Sequence, residues 1–222
     1  MSRRPDPAAS RRAILQAARA CFSAQGYAGT SMHDIAKAAG VTQSLIHHHF
    51  GPKDALWAEV RRFAFGEYAQ QQRKLIESGQ HDPELLRASM ATYFQFLADN
   101  PDILRLVAWL ELDRPVAFID ELHELRQSGV RVVEQGQRTG WLRTDLPPRF
   151  ILTAFMGLVR NWFEERTLIQ DESDPAAVAE ADAAYLESMW RIFSDGLLAR
   201  APVSASGSAS ASESGSTDLD RP

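Results

Sequence analysis

Apolar positions recur along this chain at the three- and four-residue spacing of helices, and no stretch keeps the strict alternation of a half-buried strand. Ile14, Leu15, Ala18, Cys21 and Phe22 form one such stripe. They predict a helix from an N-cap at Ser10 to about Gln25, stopped by Gly26. Met32, Ile35, Ala36 and Ala39 recur at i, i+3, i+4 and i+7 and predict a short second helix. Gly40 can take the left-handed conformation that ends it, and Val41 can tuck back underneath. Thr42 is a good N-cap for a third helix through Gln43, Ser44, Leu45, Ile46 and three histidines to Phe50, polar on its open side.

Capping residues and prolines mark the remaining elements. Gly51-Pro52 opens a long helix with proline at a first-turn position, where its missing N–H costs nothing. That helix runs to about Ser78, before Gly79, and predicts a rod of about 39 Å at about 1.5 Å per residue. Asp82-Pro83 caps a helix through Met90, Phe94 and Leu97 to Ala98, and Asn100-Pro101 opens one holding Ile103, Leu104, Val107, Trp109 and Leu110. Pro115 introduces Val116 to Thr139, Pro147-Pro148 introduces Arg149 to about Thr167, and Asp174-Pro175 introduces a last helix to about Arg200. The pattern predicts an all-α chain: a three-helix unit over residues 1–52, with a helix-turn-helix at about 31–50, then a six-helix domain over 53–200. Residues 201–222 are almost entirely Ser, Ala, Gly and acidic residues and predict a disordered tail, because they lack apolar surface to offset ordering entropy.

The helix-turn-helix changes how the charge reads. A motif of this kind places its second helix in the major groove of DNA, yet the chain carries a net charge of −5. Residues 1–53 hold seven basic and two acidic residues, a net of +5, while the remainder holds 17 basic and 27 acidic, a net of −10. Positive charge is therefore concentrated where phosphates would be met. No apolar run approaches the roughly 20 residues that span a bilayer. The first residues hold two arginines without the apolar stretch of a secretory signal. The only cysteine, Cys21, cannot pair internally, fits a reducing cytoplasm and reads as a small core residue.

On the recognition helix Gln43 is the best candidate for a bidentate base contact, its amide matching adenine N6 and N7. Ser44 lets the helix approach closely, and His47 and His48 can reach phosphate or a base edge. His49 points elsewhere and packs or binds phosphate. At the entry Thr30 and Ser31 offer hydroxyls, one of them a cap, and His33 can reach the backbone; Thr42 caps the recognition helix. Lys53 suits a phosphate by its own charge and by the amides at the start of the long helix. His47, His48 and His49 are about 100° apart on a helix and cannot converge on one ion, so no metal is expected.

The segment from Gly26 to Val60 closely resembles the DNA-binding domain of tetracycline-repressor-like (TetR family) regulators. The matching features are Gly26-Tyr27, Thr30, Asp34-Ile35-Ala36, Ala39-Gly40-Val41, His49-Phe50, Lys53 and Leu56. The resemblance implies a homodimeric repressor that binds a palindromic operator in double-stranded DNA and leaves it when a small-molecule effector enters the C-terminal domain. It also implies that the last two helices form a four-helix dimer interface. Where the family usually has tyrosine, position 47 is histidine, which suggests pH sensitivity.

Pockets for small molecules are mostly apolar and aromatic. The candidates in this chain are Phe63, Met90, Phe94, Trp109, Phe118, Phe155, Met156 and Trp162, each of which also suits a helical core. Two rivals compete. Asp120-x-x-His123 is half of a carboxylate-bridged metal motif, but it lacks the second motif and further carboxylates, so no enzyme and no cofactor are expected. An architectural DNA binder without a ligand would not need so large an aromatic-rich C-terminal half.

Overall fold

The first helix begins a turn earlier than its apolar stripe. In the computed structural model, which describes residues 6–112, 120–169 and 173–198, α1 covers Pro7–Gly29. The Asp6 carboxylate caps it, accepting the Ala8 N–H at 3.0 Å. Pro7 takes the first helical position, where its fixed φ suits the start, so the cap is Asp6 and not Ser10. Gly26, at φ 70° and ψ 177°, breaks the regular path inside α1 and leaves one short turn before Thr30.

α2 (Met32–Ala39) and α3 (Gln43–Phe50) form the helix-turn-helix. The Ser31 hydroxyl accepts the Asp34 N–H while the Asp34 carboxylate accepts the Ser31 N–H, a reciprocal capping box. Gly40 closes α2 in the left-handed region at φ 66°, and the Val41 N–H returns to the Ala36 carbonyl at 3.0 Å.

α4 covers Lys53–Ile76, and Pro52 is its N-cap residue, one position earlier than the first-turn place expected. At 24 residues it is about 36 Å long. α5 (Pro83–Asp99), α6 (Ile103–Leu112), α7 (Asp120–Arg138), α8 (Pro148–Ile169) and α9 (Pro175–Leu197) follow. Asp82 and Asp174 cap α5 and α9 by accepting two backbone N–H groups each. Among the described residues there is no strand, only an isolated antiparallel bridge between Leu142 and Leu198. Pro115, Val116 and the 201–222 tail lie outside the described residues.

One continuous apolar cluster runs from Ile14 in α1 to Leu197 in α9. α1 packs on α2, α4 and α6; α4 packs on α5 and α7; α8 packs on α5, α7 and α9. Aromatic side chains fill the middle: Tyr68 stacks on Phe96 at 4.7 Å and lies 5.5 Å from Tyr93, which stacks on Phe155 at 6.4 Å. Burial pushes the Tyr93 phenol up to about 12 and raises Tyr68 as well, so both are neutral packing groups.

A polar cluster ties α1 to the start of α6. Arg19 Nε donates to Asp102 at 2.7 Å and its Nη2 donates to Asn100 Oδ1 at 2.8 Å, while the Ser23 hydroxyl donates to Asp102 at 3.3 Å. Burial alone would raise the Asp102 carboxyl, but the hydrogen bonds and charge of Arg19 outweigh it and hold the group below its ordinary value.

Candidate nucleic-acid interface

The apolar side of α3 is locked inward: Ile46 and Phe50 are buried, and Leu45 is half-buried. This leaves Gln43, Ser44, His47 and His48 exposed along the opposite side, the four side chains the recognition helix can offer to a groove. Thr42 is exposed, and its hydroxyl accepts the Leu45 N–H at 3.3 Å, so it sets the start of the helix. Ser31 and His33 are exposed at the start of α2. Hydrogen bonds from the Ser31 hydroxyl and backbone N–H hold the Asp34 carboxyl below its ordinary value. His49 is half-buried, its ring 6.0 Å from Phe50 and 5.6 Å from His48. Among the described residues no three His, Cys, Asp or Glu side chains gather where they could hold a metal ion.

Thr30 is a correction. It is 2% exposed, and its hydroxyl donates to the Gly26 carbonyl at 2.7 Å. The break at Gly26 frees that carbonyl, and Thr30 turns inward to satisfy it. Its side chain therefore belongs to the fold and not to a DNA face.

Tyr27 is a contributor that pattern reading did not single out as a site residue. Lys53 Nζ sits 4.2 Å above the Tyr27 ring, and the Tyr27 hydroxyl donates to Asp54. The ring holds the ammonium at the first residue of α4, where the helix N-terminus also attracts an anion. The only sequence signal was the aromatic residue beside Gly26. Arg11 lies over Phe50 at 4.9 Å and pairs with Glu59, so it braces α1 against α3 and α4. Cys21 is half-buried; burial, then the Asp34 charge, push its thiol up, which keeps it an inert packing group.

The other end of α4 reaches a small cavity of about 40 Å³. Its walls come from Ile76 of α4, Leu85, Leu86 and Ser89 of α5, Val132 and Val133 of α7, Ile151, Leu152 and Phe155 of α8, with Gly129 and Phe193 closing it. Of the described residues expected to line a pocket, only Phe155 is there. Phe63 is 37% exposed on the outside of α4. Met90 is fully buried, and Phe94 packs on Phe163 at 4.7 Å. Trp162 stacks on Tyr185 at 4.3 Å and donates its N–H to Asp182 at 2.6 Å. Met156 is half-buried against the core, Trp109 covers Gly26, and Phe118 lies outside the described residues. The described lining is mainly aliphatic, whereas the expectation favoured aromatics; Phe94 and Trp162 fill the core instead.

A cationic helix-turn-helix with a free polar recognition face, mounted on a helical body with its own cavity, defines a DNA-binding regulator. Residues 14–60 match the model described as bacterial regulatory proteins, tetR family, and residues 86–191 match the tetracyclin repressor-like C-terminal domain. The chain belongs to the tetR family of bacterial transcriptional regulators. It is 26% identical over 178 residues to the HTH-type transcriptional regulator YdgC of Bacillus subtilis, covering 77% of this chain and 87% of that one. It is 28% identical over 165 residues to the transcriptional repressor AcnR of Corynebacterium glutamicum, covering 72% and 82%. The crystal structure of AibR in complex with isovaleryl coenzyme A and operator DNA superposes with a TM-score of 0.66 at 20% identity, covering 82% of this chain and 97% of that one. No helix among the described residues is long and apolar enough to cross a membrane.

Proposed function

We propose that this regulator is a homodimeric repressor that leaves a palindromic operator when a small molecule enters the α4–α5–α7–α8 cavity. The observation that carries the reading is that one helix touches both sites. α4 starts at Lys53, on the DNA side, and its last residue, Ile76, is part of the cavity wall. A rod that is rigid along its length converts a shift at one end into a displacement at the other, and the coupling is reciprocal. Widening the cavity tilts α4, changes the separation of the two recognition helices and lowers operator affinity. Repression by a relative such as AcnR, and the binding of both an acyl thioester and operator DNA by AibR, support the switch.

The division of labour follows the same line: residues 1–52 bind DNA, residues 53–200 bind effector and dimerise, and the protein works in the cytoplasm without catalysis. Support for the dimer comes from the outer faces of α8 and α9, where Phe150 is 57% exposed and Ile192 is 71% exposed. Ala154, Gly157 and Leu158 continue the α8 face, and nothing lies within 4 Å of a Cβ built on Gly157. Small residues beside exposed large apolar ones suit a close helix-to-helix contact between two copies, and two-fold symmetry suits two half-sites about one DNA turn apart. The test is fluorescence anisotropy of the purified full chain on its own upstream DNA and on scrambled duplex at moderate salt. A preference of at least about a hundredfold is expected for a specific site; equal affinity for both duplexes overturns the reading.

A further inference from the structure

Resting on the cavity as the effector site, the identity of the effector can be narrowed by following where each polar atom of the wall is already used. Among the described residues of the wall, Ser89 carries the only side-chain hydroxyl and none is charged. The Ser89 carbonyl can only accept, and it takes the Gln72 Nε2–H at 2.8 Å. That fixes the orientation of the buried Gln72 amide and presents its Oε1 to the Ser89 hydroxyl, at 2.8 Å. The hydroxyl proton is therefore committed to Gln72, and the oxygen keeps only acceptor capacity.

We propose that the cavity takes a neutral, hydrocarbon-rich molecule whose single polar group is a hydroxyl donating to Ser89, and that it rejects carboxylates. A carboxylate or carbonyl placed there would find no free side-chain donor and no cation among the described lining residues, and burying an unpaired anion is far more costly than burying a hydroxyl with a partner. The cavity volume of about 40 Å³ is well below the roughly 150 Å³ that admits benzene, so the occupant displaces part of the wall. Leu152 is the movable part. It is half-buried, and a Cβ built on Gly129 would lie 3.2 Å from its Cδ2, so the wall there is one side chain lying against a bare helix backbone.

The test is isothermal titration of the full chain with 1-hexanol and with hexanoate, on wild type, Leu86→Phe and Ser89→Ala. Saturable one-site binding of hexanol is expected, with hexanoate inert. Leu86→Phe, at a half-buried wall position, fills the space and abolishes hexanol binding. Ser89→Ala weakens it by about two- to tenfold, the loss of one neutral hydrogen bond. Hexanoate binding as well as hexanol, the absence of hexanol binding, or hexanol binding unchanged in Leu86→Phe overturns the inference. Operator affinity is measured separately. Hexanol that binds in the cavity and leaves DNA affinity unchanged supports this ligand class and overturns the switch. Release from DNA by hexanoate bound in the cavity does the reverse.

Discussion

A Cβ on Gly26 would stand 2.6 Å from Cε3 of Trp109, inside the face of the indole. The residue that breaks α1 is thus covered by the last full turn of α6, a helix of the C-terminal body. Two demands meet at this position: the ring needs a bare backbone, and the backbone, at φ 70° and ψ 177°, occupies a region essentially restricted to glycine. The same turn exposes the carbonyl that Thr30 satisfies.

Gly26→Ala should therefore cost about 2–5 kcal/mol, from overpacking and backbone strain together. Adding Trp109→Ala relieves the overpacking and leaves the strain, so the double variant should be less destabilised than the sum of the two single changes. Urea unfolding of the four proteins measures this. Strict additivity would show that the indole does not press on this site.

The Arg19–Asp102 pair, one side of the same α1–α6 contact, should give an acid-sensitive share of stability. The Asp102 carboxyl is held below its ordinary value in the folded state. Its contribution is therefore full above the unfolded value of about 3.9 and is lost as pH falls through the lower folded value. Asp102→Asn should lower stability by about 1–3 kcal/mol at pH 7. The gap between wild type and variant should shrink below about pH 4. A gap that stays constant down to pH 3 in urea titrations would remove the ion pair as its cause.

The elements were legible wherever a local rule had no competitor. Gly40, Thr42, Asp82 and Asp174 act as the caps their spacing implies, because each satisfies backbone groups within three residues of itself. Asp6 escaped because Ser10 is also a fair cap and the apolar stripe begins only at Ile14. The exposed side of α3 was legible because Ile46 and Phe50 fix which side is buried. The inward turn of Thr30 was not, since its partner carbonyl exists only once Gly26 bends the chain. The cavity was the least legible part. Ile76, Leu86 and Val133 line it while Phe94 and Met90 do not, and that depends on how helices distant in sequence leave a gap.

Lys53 and Tyr27 should be separable from Gln43 by salt and sequence. Lys53→Ala should weaken binding to specific and scrambled DNA alike and reduce the salt slope by about one. Tyr27→Phe keeps the ring under the ammonium and loses only the bond to Asp54, so its slope should match wild type. Gln43→Ala should leave the slope unchanged and cost about 1–3 kcal/mol on the operator alone. Anisotropy titrations across a salt series measure all three. Equal losses on operator and scrambled DNA for Gln43→Ala would place Gln43 away from the bases.

Ile192 offers the sharpest test of the proposed dimer. At 71% exposed it is among the most open large apolar side chains described, while Met189 and Phe193 beside it on α9 face the core. Ile192→Glu therefore changes nothing inside the subunit, and helix propensity alone costs little at an exposed position. If the outer faces of α8 and α9 meet a second copy, one charge per subunit falls directly in the contact, unpaired and desolvated. Sedimentation of the variant should then give a folded monomer with unchanged helicity. Operator affinity should fall far more than affinity for a single half-site, because the second recognition helix no longer arrives with the first. A variant that remains dimeric with full operator affinity would show that the two copies join through some other surface.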